Sequence, residues 1–181
     1  SDVERVLREV EEIIRKARDR SREWLERVKK IIEKVKEDSK RWLDEVRKLI
    51  RDVEDIRRRG KADDKTVEKI TREARKRDEE HKREVEKVAK TIEDLNRKHE
   101  EEVKDILRRV KELLEDLRRR SDTERVREVI DRIRKLLKDI IDEARDVNKK
   151  VRDLLKRIVE EVTEVNKRVK ELVEEIVRRI K

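Results

Sequence analysis

The chain of 181 residues contains no cysteine, proline, methionine, phenylalanine or tyrosine, and its one glycine is Gly60. Without cysteine there is neither a disulfide nor a thiolate metal site. No stretch approaches the roughly 18 unbroken apolar residues that a membrane span requires, and the first residues form no hydrophobic signal region. We therefore expect no membrane partner, and any core must be built from aliphatic side chains and two tryptophans.

Charged residues make up 59% of the chain, with 58 Lys and Arg against 49 Asp and Glu and a formal net charge of +9. A basic balance can indicate nucleic acid as a partner. Here opposite signs alternate, as where Glu11 and Glu12 precede Arg15 and Lys16 at a spacing that stabilises an exposed helix face. A nucleic-acid site would need a stripe of one sign with interleaved aromatic residues or glycines. We therefore expect a solvated surface and no nucleic-acid partner.

Breaks in the apolar pattern divide the chain into three predicted helices, near residues 2–59, 64–120 and 122–180. Val, Ile and Leu at helical spacing, in a chain this rich in charge, are typical of long helices. Because short loops make consecutive helices antiparallel neighbours, we predict an all-α, up-down-up, three-helix bundle. We expect residues 1–181 to form a single domain.

The predicted helix ends carry capping residues. Ser1-Asp2-Val3-Glu4 and Ser121-Asp122-Thr123-Glu124 are capping boxes, which place the starts of the first and third helices. Gly60 follows three arginines, as expected just past a helix end. Asp63 or Asp64 can cap the second helix.

A period of eighteen residues runs through all three helices and equals five turns of a straight α-helix. A residue eighteen positions further on therefore points the same way, about 27 Å along the axis. Because a heptad repeat would impose a left-handed supercoil, this period predicts nearly straight helices. The apolar positions of each repeat fall within an arc of roughly 120°, and a closed three-helix bundle buries one such arc on each helix. We therefore expect a monomer.

The third helix has a slightly wider apolar stripe than the other two. Ile141, Val159 and Val177 lie on its edge, one in each eighteen-residue copy. An oligomer would need such an exposed apolar face, so this edge gives a weak argument for self-association.

Polar residues recur with the same period and predict two buried polar layers. The pairs Trp24 with His99 and Trp42 with His81 have the same index sum, as facing residues of an antiparallel helix pair must. The same relation joins Asn148 and Asn166 of the third helix to the second helix. One layer contains Ser21, Trp24, Asn96, His99 and Asn148, and the other contains Ser39, Trp42, Asp78, His81 and Asn166.

The residue types in these layers can satisfy one another. An indole donates, a neutral imidazole donates and accepts, and an amide or hydroxyl does both. Because a buried polar group without a partner costs roughly 1–3 kcal/mol, a shifted packing that strands these groups is penalised. The layers therefore predict a device for aligning three similar helices.

A metal site, a catalytic pair or an aromatic ligand site explains the same residues less well than a structural polar layer does. Asp78 and His81 have the spacing of a di-metal ligand pair, but such sites use several carboxylates, and the other layer has Asn96 in place of Asp78. A catalytic Ser–His pair would need an oxyanion hole and a cleft, which the pattern does not predict. The two tryptophans lie too far apart along the axis to enclose one ligand. We expect no metal, no cofactor and no catalytic residue.

The two histidines also suggest a response to pH. Burial depresses the pKa of histidine, so stability is lost as pH falls through the value of the unfolded chain. Because Asp78 beside His81 opposes this effect in one layer, we expect His99 to be the more acid-sensitive histidine.

The repeated Ser-Asp-x-Glu caps, the eighteen-residue copies and the restricted alphabet resemble those of computationally designed straight-helix bundles with buried hydrogen-bond networks. The resemblance covers the whole chain and implies a hyperstable scaffold without natural activity. The alternatives are a binding or oligomerisation component, a pH-responsive bundle through His81 and His99, and a spectrin-like three-helix adaptor, although adaptors of that kind have heptads and a broader alphabet. Thr91 and Thr163 lie off the core arc and are not explained by the repeat.

Overall fold

The computed structural model describes residues 2–60 and 64–180, without the side chain of Ile180. It contains three helices of 57 residues each, α1 (Asp2–Arg58), α2 (Asp64–Arg120) and α3 (Glu124–Ile180). The helices pack against one another, which confirms the predicted all-α three-helix bundle. Over the described residues, no helix is long and apolar enough to cross a membrane.

The ends of the helices follow from local capping. Gly60 has a φ of 69° and its amide donates to the Arg57 carbonyl at 3.0 Å, so a left-handed glycine closes α1. The α3 helix begins at Glu124, two residues later than predicted, because Thr123 is the cap in place of Ser121. The Thr123 hydroxyl accepts a hydrogen bond from the Val126 amide at 3.3 Å.

The predicted caps of the other two helices are only partly described. Asp64 is the first residue of α2. Ser1 and Asp63 lie outside the described residues, so the first capping box and the alternative cap of α2 stay predictions.

The contacts divide the chain into two compact units, each of which takes a segment from every helix. Unit 1 comprises Ser1–Lys29 and Ile92–Asp153, and unit 2 comprises Lys30–Thr91 and Leu154–Lys181. The expectation of a single domain stays a prediction.

Unit 1 has a continuous aliphatic core. Val10, Val110, Val126 and Ile133 are fully buried at its centre. Along its rim, Glu4 pairs with Arg125 at 2.7 Å and Glu11 with Arg132 at 3.2 Å, so α1 and α3 run parallel in this unit. The α2 segment runs antiparallel to both.

Two of the apolar clusters in unit 2 are smaller than the core of unit 1. One cluster contains Trp42, Val46, Ala74, Val169 and Val173, and the other contains Val53, Val67 and Ile176. The α1 and α3 segments again run parallel, because Lys36 pairs with Glu161 at 3.6 Å and, further along both helices, Glu54 pairs with Arg179.

Candidate functional site

The first polar layer joins α1 and α2 in unit 1 through a serine and a histidine. Ser21 and His99 are both buried, and the Ser21 Oγ lies 2.9 Å from the His99 Nε2. Both residues were predicted for this layer. The contact satisfies a hydroxyl and one ring nitrogen that would otherwise be buried without partners.

A second chain of hydrogen bonds in unit 1 crosses all three helices. The Trp24 indole donates to the Asn96 Oδ1 at 3.0 Å, and the Asn96 amide donates to the Asn148 Oδ1. The Asn148 amide donates in turn to a carboxylate oxygen of Glu100. Arg152 lies 3.7 Å from the same carboxylate. The five predicted residues of this layer therefore all take part in hydrogen bonds.

The second layer repeats the α1–α2 contacts in unit 2. The Ser39 Oγ lies 2.9 Å from the His81 Nε2, and the Trp42 indole donates to the Asp78 Oδ1 at 3.2 Å. As in unit 1, the tryptophan donates to the residue three positions before the histidine. The index sums, which paired each tryptophan with a histidine, therefore did not identify the hydrogen-bonded pairs.

The contribution of α3 to the second layer differs from that to the first. Asn166 is buried, but its Oδ1 has no hydrogen-bond partner among the described residues. Among the described residues, no hydrogen bond joins Asn166 to Asp78, whereas the Asn96 amide donates to the Asn148 Oδ1 in unit 1.

Burial shifts the pKa of one group in each layer. Burial lowers the pKa of His99, and the charges of Glu102 and Glu100 oppose this only partly. Burial raises the pKa of Asp78, while the Trp42 hydrogen bond acts in the opposite direction. Burial therefore acts against the charged form of each group.

Two residues that contact the layers, and one buried threonine outside them, were not predicted from the sequence. Glu100 receives the hydrogen bond of Asn148, Arg77 lies 4.9 Å from the centroid of the Trp42 ring, and Thr71 is buried with an unpaired hydroxyl among the described residues. Comparing the eighteen-residue copies of α2 could have identified the last two, because Arg77 and Thr71 stand where the next copy has Leu95 and Ala89.

The side chains of the layers are joined by hydrogen bonds. Over residues 2–60 and 64–180, no group of three or more His, Asp or Glu side chains is placed to hold a metal ion. In unit 2, a charged surface groove of about 210 Å³ passes beside the layer. It is lined by Asp38, Arg41, Trp42, Glu45, Arg77, Glu80, His81 and Glu84.

The apolar edge of α3 is unevenly covered. Val159 is 50% exposed, whereas Ile141 and Val177 are half-buried. The threonines outside the repeat are exposed, and each bonds a backbone carbonyl four residues earlier: Thr91 that of Lys87 at 2.9 Å and Thr163 that of Val159 at 2.8 Å.

No known protein family matches the chain, and no curated protein matches it. Among solved structures, it is similar to a chain described as a "Computationally designed three helix bundle". The two share 23% sequence identity over 99% of this chain and 87% of that chain, with a TM-score of 0.44.

Proposed function

We propose that the chain is a designed structural scaffold with no natural biochemical activity, in which two repeated buried polar layers specify how three similar helices align. The observation that carries this proposal is the repetition of one bonding pattern. In each unit a serine of α1 meets a histidine of α2 at 2.9 Å, and a tryptophan of α1 donates to the side chain three residues before that histidine.

The physical reason lies in the difference between making and stranding a hydrogen bond. A buried hydrogen bond adds about 1 kcal/mol, whereas a buried polar group without a partner costs roughly 1–3 kcal/mol. The apolar core of unit 1 tolerates many packings, because aliphatic side chains of similar volume interchange at small cost. A polar layer therefore selects among packings more strongly than it stabilises any one of them.

The test replaces all members of both layers with apolar residues of similar volume. We expect this variant to unfold at an equal or higher urea concentration, because buried polar groups add little net stability. We also expect several masses in light scattering and more than one set of amide signals in NMR spectra. Because the connection between α2 and α3 is short, misalignment should appear mainly as exchange of helices between chains.

The matched control keeps both layers and changes the apolar core of unit 1 instead. The substitutions Ile14→Leu, Leu114→Ile and Ile133→Leu alter buried side chains without adding or removing a polar atom. We expect one mass and one set of amide signals. A layer-free variant that behaves like this control would contradict the proposed alignment role.

The proposal includes no substrate, cofactor or obligatory partner. The Ser39 Oγ lies at the distance of a nucleophile–base pair from His81, but Ser39 is buried and no third group of the described chain is bonded to the His81 ring. We expect an activated ester to be hydrolysed at the same rate by the chain and by its Ser39→Ala variant. A clearly faster rate for the unsubstituted chain would indicate an enzyme.

A self-associating component is the second candidate, because Val159 is half-exposed on an apolar edge. We expect a concentration-independent monomer mass in light scattering. A mass that doubles at high concentration, and that returns to the monomer value in Val159→Lys, would favour the second candidate.

A further inference from the structure

The central α2 residue of each layer has to accept one hydrogen bond and donate another. In unit 1, Asn96 accepts from Trp24 through its Oδ1 and donates to the Asn148 Oδ1 through its amide. The equivalent residue in unit 2, eighteen positions earlier, is Asp78. Asp78 accepts from Trp42 in the same way, but an ionised carboxylate has no hydrogen to donate.

The residue left without a donor is the α3 member of the same layer. Asn166 lies eighteen positions after Asn148, is only 7% exposed, and has an Oδ1 with no hydrogen-bond partner among the described residues. A buried carbonyl oxygen of this kind destabilises the folded state unless a donor reaches it.

We propose that the folded chain holds Asp78 as the neutral carboxylic acid, whose O–H donates to the Asn166 Oδ1 and so completes the second layer. One carboxyl oxygen of Asp78 accepts from Trp42 and the other carries the proton. The protonated acid then does in unit 2 what the Asn96 amide does in unit 1. The layer is a proton-binding site. Whether Asp78 holds the proton determines whether a hydrogen bond links α2 to α3 in this layer.

The charged groups around Asp78 act on its ionisation in opposite directions, and they do not by themselves determine whether the carboxyl group is protonated. Lys170 of α3 and His81 of α2 favour the ionised form, and Glu79 of α2 opposes it. From α1, Asp78 meets the uncharged Trp42 indole, while Glu45 is paired with Arg77 at 3.2 Å. Burial is the largest influence on the carboxyl group, and it raises the pKa of Asp78.

The direction of the pH dependence follows from this assignment. A carboxyl group whose pKa is raised by folding contributes its full stability below the unfolded value near 3.9, and that contribution is lost as pH rises through the folded value. Unit 2 should therefore be less stable in mildly alkaline than in mildly acidic solution.

The experiment combines a titration with an isosteric substitution. In carbon-detected NMR spectra of the full chain, we expect the Asp78 carboxyl signal to titrate above the value of an unfolded aspartate, because burial raises the pKa of Asp78. Asp78→Asn supplies the amide donor at every pH and reproduces the pairing of unit 1. Relative to the unsubstituted chain, we expect it to favour the folded state more at pH 8 than at pH 5, by about tenfold for each unit by which the pKa of folded Asp78 exceeds 5.

The matched control is Asp94→Asn, which alters an exposed aspartate of α2 that lies 3.9 Å from Arg97. We expect no comparable difference between the two pH values. A low titration midpoint for Asp78, or an Asp78→Asn variant that is more destabilised at pH 8 than at pH 5, would overturn the proposal. That result would indicate an ionised Asp78 that accepts a hydrogen bond from a rotated Asn166 amide.

Discussion

The two polar layers have the same residues on α1 but place their acidic group differently. In unit 1 the carboxylate is Glu100, at the half-buried end of a chain of hydrogen bonds that begins at Trp24. In unit 2 the carboxyl group of Asp78 lies in the middle, and the position equivalent to Glu100 is Lys82. The first layer can therefore end on a charge near solvent, whereas the second must bury its acid. One repeated pattern thus gives one satisfied layer and one that depends on a proton.

The largest expected effect compares the tryptophans. Trp42 is 6% exposed and packs against Val46, Val169 and Val173, whereas Trp24 is half-buried. We expect Trp42→Ala to lower the free energy of unfolding by about 3–5 kcal/mol and Trp24→Ala by clearly less. Urea denaturation followed by circular dichroism measures both. Equal losses would show that the two layers do not differ in packing.

The next largest difference is expected between the central α2 residues of the two layers, Asn96 and Asp78. Asn96→Leu strands the Trp24 indole and the Asn148 Oδ1, so we expect a loss of about 2–4 kcal/mol. Asp78→Leu strands the Trp42 indole and takes the proposed donor from the Asn166 Oδ1, but it also removes a costly buried acid, so we expect a smaller loss of about 1 kcal/mol. Urea midpoints at neutral pH test the order, and a larger loss for Asp78→Leu would reverse it.

A smaller loss of stability is expected when the pH is lowered. Burial lowers the pKa of His99, so its contribution to stability is present above the unfolded value near 6.5 and is lost as pH falls below it. We expect the loss to approach about 1.4 kcal/mol for each unit by which folding lowers that pKa. His99→Gln, which carries no charge at either pH, should lose less stability between pH 7.5 and pH 5.5 than the unsubstituted chain. Equal losses would leave His99 without a role in the acid response.

The smallest effect concerns the cation beside Trp42. Arg77 lies over the indole and is paired with Glu45 near the surface, where such contacts add about 0.5–1 kcal/mol. We therefore expect Arg77→Leu, which copies Leu95 of unit 1, to change the free energy of unfolding by no more than about 1 kcal/mol. A calorimetric scan of both proteins would detect a larger change, which would give Arg77 a structural role.

The periodic part of the molecule could be predicted from the sequence because eighteen residues make five full helical turns, so every copy lies on the same side of its helix. That reasoning gives the three helices and brings Ser21 to His99 and Ser39 to His81. It does not tell which of two nearby residues caps α3, and the cap is Thr123 and not Ser121.

The hydrogen-bond partners within a layer could not be predicted in the same way. They depend on shifts of about an ångström in helix position, because a hydrogen bond is lost within that distance. The same face of the helices therefore gives a bonded Asn148 in unit 1 and an unpaired Asn166 carbonyl in unit 2. Glu100 was missed because it stands in a run of three glutamates that is typical of a solvated face.

The placement of one indole in each unit has a spectroscopic consequence. Because the chain has no tyrosine and no phenylalanine, its near-ultraviolet absorption and fluorescence come from Trp24 and Trp42 alone. Each indole is bonded to the α2 centre of its own layer, so Trp24→Phe leaves an emission that reports only on Asp78, and Trp42→Phe one that reports only on Asn96. The molecule therefore contains two optical probes, one per layer, with which the unfolding of each unit can be followed without any added dye.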